Sequence, residues 1–543
     1  MLVFRQGRRA HFGGALLQAL LPLLRQLDAA GAAVPSSLSL EALLRSGELE
    51  CALADLGSPH AALLGSATDA LAQVLLRLPP SLPLRELARR LASISLRQQL
   101  TVATPEGFAY YALHPLQYSE LAGALPLGSA HAAVVGIRSI GSTLSAVVAA
   151  ALRRRGVAAE RITVRPQGHP FNRETRFHAE AQRWISAQRA RRAEFLVVDE
   201  GPGLSGSSFL SVGDALLQAG VPRNSIAFLC AAQPDPSRLR ARDAARRWPQ
   251  FRSYALLPQP FLPAASSANL GGGLWRRHLF DAACNWPGSW VSMERAKFLS
   301  HDGRTIFKFE GLGHFGAQVA ERARALAHAG FAPASEDAGE GYLAYTRESG
   351  LPATRMELCP ALLDRLAHYC AFRAAEFRQP VSTSAELAEM AAWNLHEEFG
   401  VPCDPTAAGL EVEVPVHADG RMQPHEWLLT DRGLLKTDGA SHGDDHFFPG
   451  PADIAWDLAG AIVEWELGAD AAARLLRRYG ELSGDRAQPR LPAWLRAYTA
   501  FRLGYCKMAA ESLSGTAEEE RLLRDFRRYR ARAAALLAQP AAA

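Results

Sequence analysis

The sequence predicts a multidomain protein of mixed α/β and α+β class: a helical N-terminal region, a parallel-sheet domain, and a two-lobed second half. Three observations carry this. At 543 residues the chain is too long for one ordinary core, so three or four domains are expected. From about 101 to 262, short apolar runs alternate with helical patterns, the mark of buried parallel strands covered on both faces. Beyond about 276 the strands come in hairpins, and a mainly helical stretch follows.

Taken in order, residues 1–100 are rich in Leu and Ala at helical spacing ("ALLQALLPLLRQL", "ALAQVLLRL", "LRELARRLASISLRQQL"). They read as a helical cap without chemistry. The start of the chain is broken by Gln18 and Arg25 and lacks a small-residue cleavage site, so an amphipathic helix is expected there rather than an export signal. Residues 101–262 follow as strands and helices: "HAAVVGI", "LSAVVAAALRRRG", "RITVRP", "AEFLVVDE", "FLSVGDALLQAG" and "SIAFLCA". The stretch "LPQPFLPAASSANLGGG" reads as a linker, placed at 263–275, before a small lobe at 276–348 and a mostly helical lobe at 349–543.

Composition narrows the partners. Hydrophobic residues at 48% and charged residues at 21% describe a globular protein. The net charge of +4 supplies no global basic field, and the arginine clusters lack interleaved aromatics, so no nucleic acid is expected. No apolar run approaches the roughly 20 residues a membrane span needs, so no membrane partner is expected either. Seven scattered cysteines without a C-x-x-C pair suit a reducing cytoplasm. Oligomerisation is left open.

The stretch "FLVVDEGPGLSGSSF", Phe195 to Phe209, carries the chemistry of the first half. An apolar strand ends in Asp199 and Glu200, and a loop with Gly201, Gly203, Ser205, Gly206, Ser207 and Ser208 leads into a helix. Ligands of open parallel sheets bind at the carboxyl ends of strands. A Gly/Ser loop entering a helix offers N–H and hydroxyl donors for a phosphate. Acids beside such a loop suit a ligand that also carries hydroxyls, as a ribose 5-phosphate does. The alternative is a plain strand–turn–helix with capping serines.

This motif resembles the PRPP-binding signature of type I phosphoribosyltransferases, over about 130–262, with a loop one residue longer than usual. The resemblance implies that Asp199 and Glu200 are catalytic, orienting the ribose hydroxyls while a nitrogen nucleophile displaces pyrophosphate with Mg²⁺. It further implies that the loop "RSIGST", with Arg138 and Ser139, binds pyrophosphate. Arg173, in the basic stretch "VRPQGHPFNRETRF", would belong to a closing loop, and Tyr110, Tyr111 and Tyr118 to a base-recognition segment or to packing. A phosphorolytic or hydrolytic enzyme on a ribosyl bond, and a non-catalytic PRPP or nucleotide sensor, are the alternatives.

The second half resembles aminoglycoside-phosphotransferase-like kinases in "TIFKFE…GAQVAERARALAHAG…GYLAYTR" and in the hairpin "EWLLTDRGLLKTD". The resemblance implies that Lys308 and Glu321 pair to hold nucleotide phosphates, with ATP as the ligand, and that Asp438 holds a metal. Asp453 and Asp457 would brace the loop that follows. A catalytic loop should read H-x-D with Asn five residues after the Asp; counted back from the hairpin, Arg421 and Met422 stand where the base belongs and Glu426 or Trp427 at the asparagine place. Binding without phosphotransfer, or another use of Glu426 or His425, follows. The cluster His442, Asp444, Asp445 and His446 is read as a mutually bonded loop or as a metal site.

Overall fold

The alternating strands and helices, with the helical stretch before them, belong to one unit, Gly7–Leu262 with Gly311–His314; the hairpins and the helices after them belong to a second, Met1–Gln6 with Pro263–Glu310 and Phe315–Ala543. The computed structural model describes residues 1–3, 7–31, 35–256, 263 and 265–538.

The first unit opens with β1 (Arg8–Phe12), α1 (Gly13–Ala30), α2 (Ser36–Asp55), α3 (Ala61–Leu75) and α4 (Leu84–Ala92). β2 (Gln99–Ala103) pairs antiparallel with β1, and α5 (Glu106–Ala109) and α6 (Pro115–Ala124) follow. Then β3 (His131–Ile137), α7 (Ile140–Arg154), β4 (Ala158–Val164), the hairpin β5 (Gln167–His169) and β6 (Asn172–Glu174), α8 (Ala179–Ala190) and β7 (Glu194–Val198) alternate. α9 (Ser207–Gln218), β8 (Ile226–Cys230), α10 (Ala244–Arg247) and β9 (Arg252–Ala255) complete it.

The sheet is parallel throughout, in the order β4-β3-β7-β8-β9. β3 is followed by the strand on its left and β7 lies on its right, so the crevice between their carboxyl ends is the topological switch point. Residues of β3, β7 and β8 are buried on both faces, which is why these runs are continuously apolar rather than alternating.

The helical N-terminal region is part of this unit's core. α2 lies so close to α7 that a side chain at Gly47 would collide with Thr143. Arg161 on β4 is buried against Glu50 of α2, at 2.8 Å, and against Asp69 of α3. An ion pair so enclosed fixes the docking geometry of the helices, because separating either partner leaves a charge in low dielectric.

The second unit begins with β10 (Ser266–Asn269), β11 (Lys297–Ser300), β12 (Thr305–Phe309), α11 (His314–His328), β13 (Ser335–Gly339) and β14 (Tyr342–Thr346). The strands form an antiparallel sheet in the order β10-β11-β12-β14-β13. The stretch read as a linker is therefore an edge strand over 266–269; its part at 257–262 lies outside the described residues. β15 (Leu351–Pro352), α12 (Pro360–Glu376), α13 (Ser384–Phe399), β16 (Pro415–Val416), β17 (Trp427–Thr430), β18 (Gly433–Lys436) and β19 (Ala452–Asp453) come next. The β17–β18 hairpin extends to β15, and β16 pairs with β19. The remaining helices are α14 (Ala455–Glu464), α15 (Ala469–Ser483), α16 (Leu491–Ser512) and α17 (Ala517–Leu537). They close around buried Trp427, Trp456, Trp494 and Tyr498.

Candidate functional site

In the first unit the loops after β3 and β7 meet at the switch-point crevice. Gly141 makes this possible, since a Cβ there would stand 2.7 Å from the carbonyl oxygen of Val198. Two residues before it Ser139 holds φ 108°, ψ −117°, a conformation that residues other than glycine rarely adopt. Such strain persists where packing over-determines the backbone, and it clusters at ligand-binding turns. Gly206, at φ 67°, turns the loop after β7 into α9.

Asp199 and Glu200 stand half-buried in this crevice. The Asp199 carboxylate accepts the Glu200 N–H at 2.9 Å, and the Glu200 carboxylate accepts the Gly107 N–H at 2.8 Å. Burial, with Glu106 adding like charge, pushes Asp199 up to about 7 against the pull of the Glu200 N–H, Arg165 and Arg173. Burial and then the charges of Glu106 and Asp199 push Glu200 up to about 8. Three carboxylates gathered in a desolvated hollow favour a hydrogen-bond donor or cation there.

Arginines stand close to these acids. Arg173, in the β5–β6 hairpin, is held below its usual range by burial and by Arg165 and Arg8, with Asp199 opposing. Arg165 donates to the Arg138 carbonyl at 2.7 Å and pairs with Asp55 at 2.6 Å. Arg138 itself, expected at the pyrophosphate, points elsewhere: its guanidinium donates to Ala54 O and Asp55 at 3.1 Å and to Thr163 at 3.3 Å. It lines, with Arg165, His169, Arg176 and Trp184, a cavity of about 830 Å³ beside β4. Ser205 and Ser207 bond each other at 3.0 Å, and Ser207 donates to the Pro170 carbonyl at 2.6 Å, so the buried Ser207 hydroxyl is committed to the hairpin rather than open to a phosphate. Ser208 is half-buried and Gly203 exposed, while Gly201 cannot carry a side chain without pressing on the Gly203 N–H.

Sequence reasoning passed over Glu106, Arg165 and Asp55. The last belongs to the region read as chemically silent, and only the α2–β4 docking brings it to the arginines. Tyr118 is buried and donates to the Asp199 carbonyl at 2.6 Å, a bracing role rather than a base platform.

In the second unit Lys308, on β12, is buried against Asp438, against Ser441 Oγ at 2.7 Å and against Glu310 at 2.9 Å. Glu321 does not pair with it: that residue is exposed on α11, where Arg322 turns inward to Asp444 and the Ala440 carbonyl instead. Burial raises the Asp438 carboxyl, but Lys308, His442 and Lys297 outweigh it and hold it well below the usual carboxylate range. Lys297 lies 3.3 Å and His442 3.2 Å from Asp438.

The loop before the hairpin holds the residues weighed for a base, and the structure places each of them. His417–Ala418–Asp419 is itself an H-x-D triplet, and Asp419, fully buried, enters the charged cluster. Met422 lies in the apolar core, and Arg421 pairs with Asp445 at 2.8 Å. The cluster is reached because Asp457 accepts the N–H groups of Asp419 and Gly420 at 2.8 and 3.2 Å, while Asp453 accepts those of Glu413 and Val414. Lys436 stands between Glu426, at 2.7 Å, and Asp419, at 3.4 Å. His425 stacks on Trp275, with ring centroids 5.7 Å apart. His442, Asp444, Asp445 and His446 do not form one site: Asp444 and Asp445 hold arginines, and His442 joins Asp419 and Glu426 within metal-ligating reach of one another.

No family model matches the sequence, and no curated protein matches it. Among solved structures the chain is similar to a choline/ethanolamine kinase family protein from Mesorhizobium loti, with 17% identity and TM-score 0.33 over 52% of this chain and 92% of that one. It is also similar to choline kinase LicA from Streptococcus pneumoniae (13%, TM-score 0.31, 44% and 89%). A third is an aminoglycoside phosphotransferase from Streptomyces rimosus, in complex with ADP and streptomycin (18%, TM-score 0.26, 37% and 88%). None of these is a phosphoribosyltransferase. Among the described residues no helix is long and apolar enough to cross a membrane.

Proposed function

We propose that the first unit is a phosphoribosyltransferase-like transferase acting on PRPP or a related ribose 5-phosphate compound, and that the second unit binds a nucleotide, with ATP as its candidate. One observation carries the first reading: a cluster of carboxylates opposed by arginines stands at the switch point of a parallel sheet, beside a strained turn. There Asp199 and Glu200 would accept hydrogen bonds from the ribose hydroxyls and stabilise positive charge at C1. A nitrogen nucleophile bonds to C1 as the C1–oxygen bond breaks, and pyrophosphate leaves with the electron pair. Mg²⁺ arriving with the substrate would neutralise that pyrophosphate, and Glu106, Asp199 and Glu200 are the acids able to face it.

The nucleotide reading of the second unit rests on Lys308 and Lys297, whose cationic ends meet at Asp438. Lys308→Met is expected to weaken ATP binding at least tenfold by calorimetry; unchanged affinity would remove that reading.

A thermal-shift panel of PRPP, ribose 5-phosphate, ATP and pyrophosphate, each with and without Mg²⁺, tests both units. PRPP should stabilise the wild type and not Asp199→Asn. Absence of any pentose-phosphate response would end the transferase reading. A sensor without turnover is favoured by one observation, that the Glu200 carboxylate and the Ser207 hydroxyl are already bonded within the chain. Tight PRPP binding without pyrophosphate release against a panel of bases would decide for it.

A further inference from the structure

We infer that Lys436 is a built-in cation that takes the place of a divalent ion between Asp419 and Glu426, so that the second unit holds a phosphorylated ligand without a resident metal. This rests on the nucleotide-binding reading of the same site.

Asp419, Glu426 and His442 bring ligand atoms within 4.8 Å of one another, a set whose chemistry would suit a metal. The space they enclose is already filled. The Lys436 ammonium lies 2.7 Å from Glu426 and 3.4 Å from Asp419, and its side chain is fully buried. Its backbone is anchored as well, because the residue ends β18 and its N–H is bonded to the Phe331 carbonyl at 2.7 Å. A divalent ion needs oxygens at roughly 2.0–2.6 Å and would sit against this ammonium, two cations in a region of low dielectric.

The neighbouring acids are matched in the same way. Glu310 faces Lys308 at 2.9 Å and Arg295 at 3.6 Å. Asp438, the residue expected to hold the metal, faces Lys308, Lys297 and His442. Every carboxylate of the cluster therefore has a cation supplied by the chain, and the residues present do not fit a metal. A phosphorylated ligand would meet Lys297, the more accessible of the two lysines at Asp438, with the buried Lys308 behind it adding positive charge.

Mn²⁺ titration followed by electron paramagnetic resonance tests this on the full chain. In the wild type, the number of ions bound should be unchanged by Glu426→Gln. Lys436→Met should bind one further ion per chain, lost again in Lys436→Met/Glu426→Gln. Bound Mn²⁺ in the wild type that Glu426→Gln removes would overturn the inference, as would a folded Lys436→Met that gains no ion. If Lys436→Met does not fold, Lys436→Gln replaces it, and the wild-type comparison decides alone. ADP affinity should agree within about twofold in EDTA and in Mg²⁺; a tenfold dependence on Mg²⁺ would also overturn it. Absence of ADP binding in both buffers would remove the nucleotide reading, leaving the Mn²⁺ result to judge Lys436.

Discussion

Replacing Asp199 by Asn should stabilise the ligand-free protein at alkaline pH while abolishing pentose-phosphate binding. The carboxyl is raised from the ordinary 3.8 to about 7 by burial and by Glu106. The folded state therefore binds more protons than the unfolded one between those values, and stability falls as pH rises through this window. Below about pH 4 the carboxyl is protonated in both states and costs nothing, whereas above about pH 8 it is charged in both and the cost is greatest. Three pH units correspond to about 4 kcal/mol; discounted for the solvent that reaches this half-buried group, about 2 kcal/mol remains. In a unit of this size that is roughly 4–8 °C in Tm. The Asn amide oxygen can still accept the Glu200 N–H, so the turn is retained. Scanning calorimetry of both proteins at pH 8.0 and pH 4.0 is the assay: a gain at pH 8.0 that vanishes at pH 4.0 is expected. A loss at pH 8.0, or an equal shift at both, would refute the placement of an unrelieved charge in the crevice.

Three further outcomes follow from the same geometry. Ser139→Gly should relieve the backbone at φ 108° and raise stability by about 1 kcal/mol in urea unfolding, whereas Ser139→Ala should not. Asp457→Ala removes the acceptor of two buried N–H groups and the carboxylate 3.5 Å from buried Arg373, and should cost about 3 kcal/mol or more, seen as a lowered melting transition. Glu321→Ala should change stability by no more than about 0.5 kcal/mol and leave ATP binding intact, while Arg322→Met, which strips Asp444 of its buried partner, should destabilise by several times as much in the same measurement.

Local order was largely legible from residue to residue. "HAAVVGI", "FLVV" and "IAFLC" are strands because a continuous apolar run can be satisfied only by a sheet covered on both faces, and their acidic or small-residue ends mark where the loops emerge. The hairpins around Asp302–Gly303 and Asp431–Gly433 were legible for the same reason, since turn chemistry is a property of a few adjacent residues. What escaped was the pairing of charges. Glu321 and Arg322 differ by one position, about 100° around a helix, and only the packing of α11 decides which of them turns inward. Asp55 reaches Arg138 across 83 residues.

By itself, then, the sequence determined the strands, the helices and the acidic strand end at Asp199–Glu200, because backbone conformation and burial pattern act over short range. Tertiary structure alone decided that Lys308 answers to Glu310 and Asp438, that Asp419 rather than Arg421 enters the cluster, and that Lys436 lies between two acids. Coulomb energies in a desolvated interior depend on distances between residues far apart in the chain, and those distances exist only once the chain has folded.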